Sequence, residues 1–145
     1  PAAAAALAGA GVASVCFFNR SAARAEVAET ALAPRFGGVG FSAAPLDPGA
    51  FAERRWGVVV NCLSGEGMPA LRALSVDHLP AGAVWTDANY WMADPPQLVA
   101  CAARGVRIQR GIGMLMHQGA LSFELFTQVP VSADTIRGVL DIGGW

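Results

Sequence analysis

Lysine is absent from this sequence, so all ten of its basic residues are arginines. Only 14% of the residues are charged, and the formal net charge is −1. A nucleic-acid-binding protein or one that binds an anionic membrane surface needs an excess of basic residues, which this chain does not have. We therefore expect no nucleic-acid partner and no membrane partner, and a small molecule is the expected ligand.

Cysteine is scarce as well, with only Cys16, Cys62 and Cys101. They are far apart, without Cys-x-x-Cys spacing or paired histidines, which argues against both a zinc site and a disulfide framework. We expect three buried free thiols in a reducing compartment, and hence a cytoplasmic protein. The alanine-rich start lacks the features of a signal peptide, and no apolar run approaches the roughly 20 residues of a transmembrane helix.

Hydrophobic residues make up 54% of the 145 residues, enough for one buried core. Apolar β-branched runs alternate with helical patterns, which predicts an α/β domain with a parallel sheet. The predicted strands lie at residues 12–18, 39–43, 58–61, 83–87 and 106–109. The predicted helices run from a Ser21 cap to Ala33, from Pro95 to Arg104, and from a Ser132 cap to Leu140. Residues 45–49 are expected to be a turn-rich connector, and residues 1–145 a single domain.

The loop after the first predicted strand carries Asn19, Arg20, Ser21 and Arg24, and the next acidic residue is Glu26. At this place in a dinucleotide-binding domain, an acidic residue binds the ribose of NAD, whereas basic residues bind the 2′-phosphate of NADP. Arginine suits a phosphate because its planar guanidinium group donates two parallel hydrogen bonds. The alternative is a helix N-cap followed by solvated arginines, and the loop alone does not separate the two.

Two further strands end in polar residues, and open α/β sheets bind ligands at the carboxyl ends of their strands. Asn61 ends the strand at 58–61, where it either contacts a ligand or holds the loop backbone. Tyr90 follows the strand at 83–87, where its hydroxyl either binds a ligand or belongs to a packed aromatic side chain. These patterns alone also fit an S-adenosylmethionine-dependent methyltransferase.

A distinctive run of sequence starts at residue 111. It reads Gly111-Ile112-Gly113-Met114-Leu115-Met116-His117-Gln118-Gly119-Ala120, followed by the amphipathic residues 121–126. This run resembles the closing signature of shikimate dehydrogenases. The loop from Asn19 to Arg24 resembles the NADP-recognition loop of the same family, and lies at about the expected distance before it.

The resemblance implies a Rossmann-like, doubly wound parallel sheet that binds NADP. It assigns cofactor contacts to Asn19, Arg20, Ser21, Arg24, Asn61, Gly111 and Met114, and it assigns substrate contacts to Tyr90 and Gln118. Ser64, Gly67 and Met68 also fit the family pattern, whereas Cys62-Leu63 and most of residues 91–96 depart from it. His117 is given no role.

The resemblance covers only the C-terminal half of the two-domain family enzyme. The first strand and the Gly-rich phosphate loop of the Rossmann domain are not in the sequence, and we expect the strands beside that position to lose a neighbour. In the family, the proton chemistry belongs to a lysine and aspartate pair on the N-terminal substrate domain, and this chain has no lysine. We therefore expect the 145 residues to be inactive without that domain.

The complete enzyme would interconvert shikimate and 3-dehydroshikimate. Relatives that oxidise quinate or an aminoshikimate share the same signature, and a non-catalytic nucleotide-binding fragment is a further alternative.

Overall fold

The computed structural model describes residues 1–63, 67–91 and 95–140. The chain divides into two compact units. The first consists of Pro1–Arg55 and Gly67–His78, and the second consists of the described residues of Trp56–Glu66 and Leu79–Trp145. Ser64 and residues 92–94, which the sequence analysis compared with the family pattern, lie outside the described residues.

The first unit is built on two parallel strands. Its elements are α1 (Ala2–Gly9), β1 (Ser14–Asn19), α2 (Ala22–Leu32), a 3₁₀ turn (Ala33–Arg35), β2 (Gly40–Pro45), α3 (Pro48–Ala52) and α4 (Met68–Arg72). β1 pairs with β2 from Ser14 opposite Gly40 to Asn19 opposite Pro45. Helix α2 connects the two strands, which makes this unit a βαβ crossover.

Aromatic residues form much of the core of the first unit. Phe51 of α3 is buried and packs edge-to-face on Phe18 of β1, with ring centroids 5.6 Å apart. His78 contacts the same ring at 4.9 Å. On the sheet, Phe17 and Phe41 stack across the two strands at 6.3 Å. These contacts hold the short helix α3 against the sheet.

The second unit contains three parallel strands in the order β3-β4-β5. Its elements are β3 (Val58–Asn61), β4 (Val84–Asp87), α5 (Pro96–Ala103), β5 (Arg107–Arg110), α6 (Gly111–Thr127) and α7 (Ala133–Leu140). The register brings Asn61 opposite Asp87, and Asp87 opposite Arg110. The carboxyl ends of all three strands therefore lie at one edge of this sheet.

The core of the second unit surrounds β4. Trp85 of β4 and Cys101 of α5 have no exposed surface, and Leu98 of α5 is almost fully buried. Helix α6 buries Met116 and Ala120, which are four residues apart and therefore lie on one face of the helix.

The structure confirms the α/β class and all five predicted strands, with β3 matching at both ends. β1 begins two residues later than predicted, at Ser14, because the N–H of Val12 bonds to the carbonyl of Leu7 and so belongs to the turn after α1. In the doubly wound arrangement 3-2-1-4-5-6, the second and third strands are neighbours, and the fourth, fifth and sixth lie side by side in that order. β1 and β2 pair as the second and third strands of that arrangement do, and β3, β4 and β5 pair as the fourth, fifth and sixth do.

The predicted helix ends are also largely confirmed. The hydroxyl of Ser132 accepts from the N–H of Thr135 at 3.0 Å and so caps α7, and Gly105, with φ 71°, follows α5. Ser21 occupies the N-cap position of α2, but its side chain makes no capping hydrogen bond. Within the described parts of the chain, no helix has the length and apolar character needed to cross a membrane.

Two predictions from the sequence were wrong. The connector at 45–49 contains the start of α3, because Asp47 accepts hydrogen bonds from the N–H groups of Gly49 and Ala50 and caps that helix.

The expectation of three buried thiols holds only for Cys101, since Cys62 is exposed and Cys16 is partly exposed, although all three are free. Cys62 is exposed because it lies in the loop beyond the end of β3.

The thiols provide a test of this fold. Burial raises the pKa of Cys101 to about 11, so little of the reactive thiolate forms at pH 8. Partial desolvation also raises the pKa of Cys62, but its side chain is exposed and a reagent can reach the sulfur. Peptide mass spectrometry after iodoacetamide treatment of the native protein should show Cys62 modified at least about tenfold faster than Cys101. The two should react alike in denaturant, and equal rates in the native protein would contradict the fold.

Candidate functional site

A buried polar network lies at the carboxyl ends of β3 and β4. Asp87 has no exposed surface, and Asn61 and Asn89 are also buried. The side-chain Nδ2 of Asn61 donates to Oδ2 of Asp87 at 2.9 Å. Asn89 donates to Oδ1 of Asp87 through its backbone N–H at 2.9 Å and through Nδ2 at 2.7 Å. The Asp87 carboxyl group is thus held by three hydrogen bonds from two asparagines.

The same asparagines fix the loop that follows β3. Oδ1 of Asn61 accepts from the N–H of Leu63 at 3.0 Å, and Nδ2 of Asn89 donates to the carbonyl of Leu63 at 2.9 Å. Both main-chain groups of Leu63 therefore bind to this network. Of the two interpretations of Asn61 from the sequence, the structure shows this residue holding backbone, and its predicted contact with a cofactor stays a prediction.

Gly111 begins α6 in close contact with the end of β4. A Cβ atom at this position would lie 2.6 Å from the carbonyl oxygen of Ala88 and 2.7 Å from that of Asp87. No side chain fits at these distances, so only glycine allows the helix to start here. The family resemblance assigned Gly111 a cofactor contact, which stays a prediction, and the close approach that the structure shows is to the backbone at the end of β4. A Cβ at Gly113 would meet nothing within 4 Å.

Met114 and Gln118 lie on one exposed face of α6. They are four residues apart, and the exposed Leu121 and Leu125 continue the same stripe along the helix. His117 is also exposed and points to a neighbouring face, as expected. Gln118 thus has apolar neighbours on both sides along a solvent-facing stripe.

Tyr90 and Trp91 follow the polar network directly. Their rings meet edge-to-face with centroids 5.5 Å apart, and both side chains are substantially exposed. The interpretation of Tyr90 as a packed aromatic side chain is therefore only partly right, because it is 46% exposed and the ring that it meets is itself on the surface. The rest of this loop, residues 92–94, lies outside the described residues.

In the first unit, the predicted NADP-recognition loop, from Asn19 to Arg24, spans the end of β1 and the start of α2. Asn19 is the last residue of β1, and its Oδ1 accepts from the N–H of Ser21 at 3.0 Å. Arg20, Ser21 and Arg24 are exposed. The structure therefore places all four predicted residues together around the N-terminus of α2, where the helix dipole favours an anion.

Asp87 and Asn89 are the residues that the sequence analysis missed. Two polar residues directly after an apolar strand were visible in the sequence, but their partners Asn61 and Leu63 are 26 positions away. In the described residues, no group of three potential metal ligands comes together. The parallel strands of each unit, with the helices that connect them, have the α/β architecture of Rossmann-like folds.

Comparison with known proteins finds relatives along most of the chain. The model of the shikimate 5′-dehydrogenase C-terminal domain matches residues 111–140. The shikimate dehydrogenase (NADP(+)) of Geobacter sulfurreducens is 41% identical over 132 residues, which cover 88% of this chain and 46% of that protein. The enzyme of the same name from Geobacter metallireducens is 38% identical over 130 residues, covering 87% of this chain and 45% of that protein.

Solved structures agree with these relatives. The crystal structure of Mycobacterium tuberculosis shikimate dehydrogenase superposes with a TM-score of 0.80 at 27% identity, covering 97% of this chain and 52% of that one. Over most of its length the chain is similar to the C-terminal half of shikimate dehydrogenases. It spans about half the length of the curated relatives that it matches.

The close contact at Gly111 gives a test of the site. Gly111→Ala should destabilise the protein by about 2 kcal/mol or more, because the new methyl group meets backbone atoms that cannot move independently. The matched control is Gly113→Ala in the same helix, which should be neutral or stabilise by up to about 1 kcal/mol through helix propensity. Urea denaturation measures both. Equal effects of the two substitutions would contradict the described packing of α6 on β4.

Proposed function

We propose that this chain is the NADP-binding half of a shikimate dehydrogenase, with residues 1–145 forming one NADP-binding domain. In the complete enzyme it would serve the interconversion of 3-dehydroshikimate and shikimate. The observation that carries the proposal is the 41% identity, over 88% of the chain, to a relative named shikimate dehydrogenase (NADP(+)). The proposal includes a place in chorismate and aromatic amino acid biosynthesis, and a cytoplasmic location that suits the three free thiols.

The loop between β1 and α2 would select NADP over NAD. Arg20 and Arg24 are exposed on either side of Ser21, and the side chain of Ser21 makes no capping hydrogen bond that a phosphate would have to replace. A 2′-phosphate at this position would meet two guanidinium groups and the positive end of α2. Asn19 holds the loop by accepting from the N–H of Ser21, which leaves its amide group to face the adenosine ribose.

The second unit would hold the reacting end of the cofactor and one side of the substrate. Gly111 would meet the nicotinamide carboxamide, and Met114 would pack on the nicotinamide ring beside Asn61. Gln118, one turn further along the exposed face of α6, would bind a substrate hydroxyl. The phenol of Tyr90 would donate one further hydrogen bond to the substrate.

Reduction of a ketone requires a hydride and a proton. Bound NADPH supplies the hydride, while the residues of this chain orient the cofactor and one face of the substrate. The proton would come from the lysine and aspartate pair that the family resemblance places on the substrate domain, since this sequence has no lysine to form that pair. A substrate-binding half is therefore a necessary partner for turnover.

The surface of α6 supports such a partner. Leu121 and Leu125, which follow Gln118 on the same stripe, are 63% and 73% exposed, and Phe126 is 88% exposed. Adjacent large apolar side chains at such exposure mark a surface that another body covers. A substrate half that covers this stripe would also enclose the substrate bound by Gln118.

Quinate and aminoshikimate dehydrogenases, and a non-catalytic nucleotide-binding module, are the alternatives to this proposal. Two arginines in the cofactor loop favour NADP over the NAD of some quinate enzymes. Turnover of shikimate by the full-length native product would exclude the non-catalytic module.

Cofactor selection can be tested by replacing one arginine. Loss of one charge-assisted hydrogen-bonding group costs about 1.5 to 3 kcal/mol, so Arg20→Ala should weaken NADP binding roughly 10- to 100-fold and leave NAD binding nearly unchanged. Arg35→Ala, which removes an exposed arginine after α2, is the matched control and should affect neither. Isothermal titration calorimetry measures each affinity. Equal loss of NADP and NAD affinity in Arg20→Ala would show that Arg20 does not read the phosphate.

Substrate binding by α6 can be tested in the complete enzyme. Gln118→Ala should lower kcat/KM for shikimate about tenfold or more, because a substrate hydroxyl loses its partner, while KM for NADP changes less than twofold. His117→Ala, an exposed neighbour on another face of the helix, should leave both constants unchanged. Steady-state kinetics give kcat/KM for shikimate and KM for NADP in both variants. A larger effect on NADP than on shikimate would place Gln118 at the cofactor.

A further inference from the structure

Two adjacent aromatic side chains are exposed at the carboxyl end of β4. Tyr90 is 46% exposed and Trp91 is 61% exposed, although tryptophan is usually well covered in folded proteins. Their rings meet edge-to-face at 79° with centroids 5.5 Å apart. In the part of the chain that the structure describes, this is the one ring contact of Trp91, and the hydroxyl of Tyr90 makes no hydrogen bond.

The backbone that carries this pair is fixed just before it. The N–H of Asn89 bonds to Asp87, and its side chain bonds to the carbonyl of Leu63 at 2.9 Å. Gly111 lies against the carbonyl of Ala88, one residue earlier. The chain is thus held at residues 88 and 89, and among the described residues the ring of Tyr90 makes its aromatic contact with the ring of Trp91.

We propose that Trp91 is a positioning residue for the substrate, which acts by holding the phenol ring of Tyr90. The inference rests on the proposed function, in which the Tyr90 hydroxyl donates to the substrate. An unsupported tyrosine ring on the surface samples several rotamers, and binding must then restrict it to one of them. The indole edge favours one orientation before the substrate arrives, and so reduces that cost.

Replacement of Trp91 should therefore affect substrate binding specifically. In the complete enzyme, Trp91→Ala should raise KM for shikimate roughly threefold to tenfold, with smaller changes in kcat and in KM for NADP. Trp91→Phe should recover most of the lost affinity, because a phenyl ring also packs edge-to-face on Tyr90. Val99→Ala, which shortens an exposed side chain on α5, is the matched control.

A double-mutant cycle with Tyr90→Phe separates positioning from a merely structural role. Tyr90→Phe keeps the ring and removes the hydroxyl that Trp91 is proposed to position. If Trp91 acts through that hydroxyl, Trp91→Ala should add little to KM for shikimate in the Tyr90→Phe background. Additive effects of the two substitutions, or no effect of Trp91→Ala in the unsubstituted enzyme, would overturn this inference.

The failure of the proposed function has a different result in the same experiment. If the unsubstituted full-length enzyme does not oxidise shikimate with NADP, the proposed function is wrong and this inference falls with it. Turnover by the unsubstituted enzyme, followed by additive effects in the cycle, would leave the proposed function intact and overturn the role of Trp91 alone.

Discussion

The candidate site depends on the burial of one carboxyl group, that of Asp87. A polar group without solvent contact is costly unless hydrogen bonds replace the lost water, and here Asn61 and Asn89 supply them. Because Asn61 ends β3 and Asn89 follows β4, these bonds fix the ends of two neighbouring strands relative to each other. The position of Tyr90 and the start of α6 beside Ala88 follow from that arrangement.

The sequence predicted the regular elements well because their signals are local. The run Val58-Val59-Val60 gave β3 to the residue, and Ser132, Pro96 and Gly105 marked the helix ends. It missed α3 and α4, which are five residues each and too short to show a helical period. A hydrogen bond from Asn61 to Asp87 has no local signal, since the partners are 26 positions apart, so the centre of the site required the structure.

The structure shows where the predicted site residues lie, and their contacts with cofactor and substrate stay predictions. Their positions at strand ends and on one face of α6 agree with expectation, because parallel strands and helical periodicity dictate those positions. Their partners were not predictable. Asn61 bonds to Leu63 and Asp87, and the space that Gly111 leaves is filled by the carbonyl of Ala88. Such contacts depend on how distant segments pack.

The central claim is that these residues form the NADP-binding half of an enzyme that acts on shikimate. The most direct measurement is NADPH formation at 340 nm by the native full-length protein, with shikimate and NADP compared against quinate and NAD. The account predicts turnover of shikimate with NADP, and a kcat/KM at least about tenfold lower with quinate and NAD, which corresponds to about 1.4 kcal/mol of transition-state discrimination. Absence of shikimate turnover, or a preference for quinate with NAD, would contradict it.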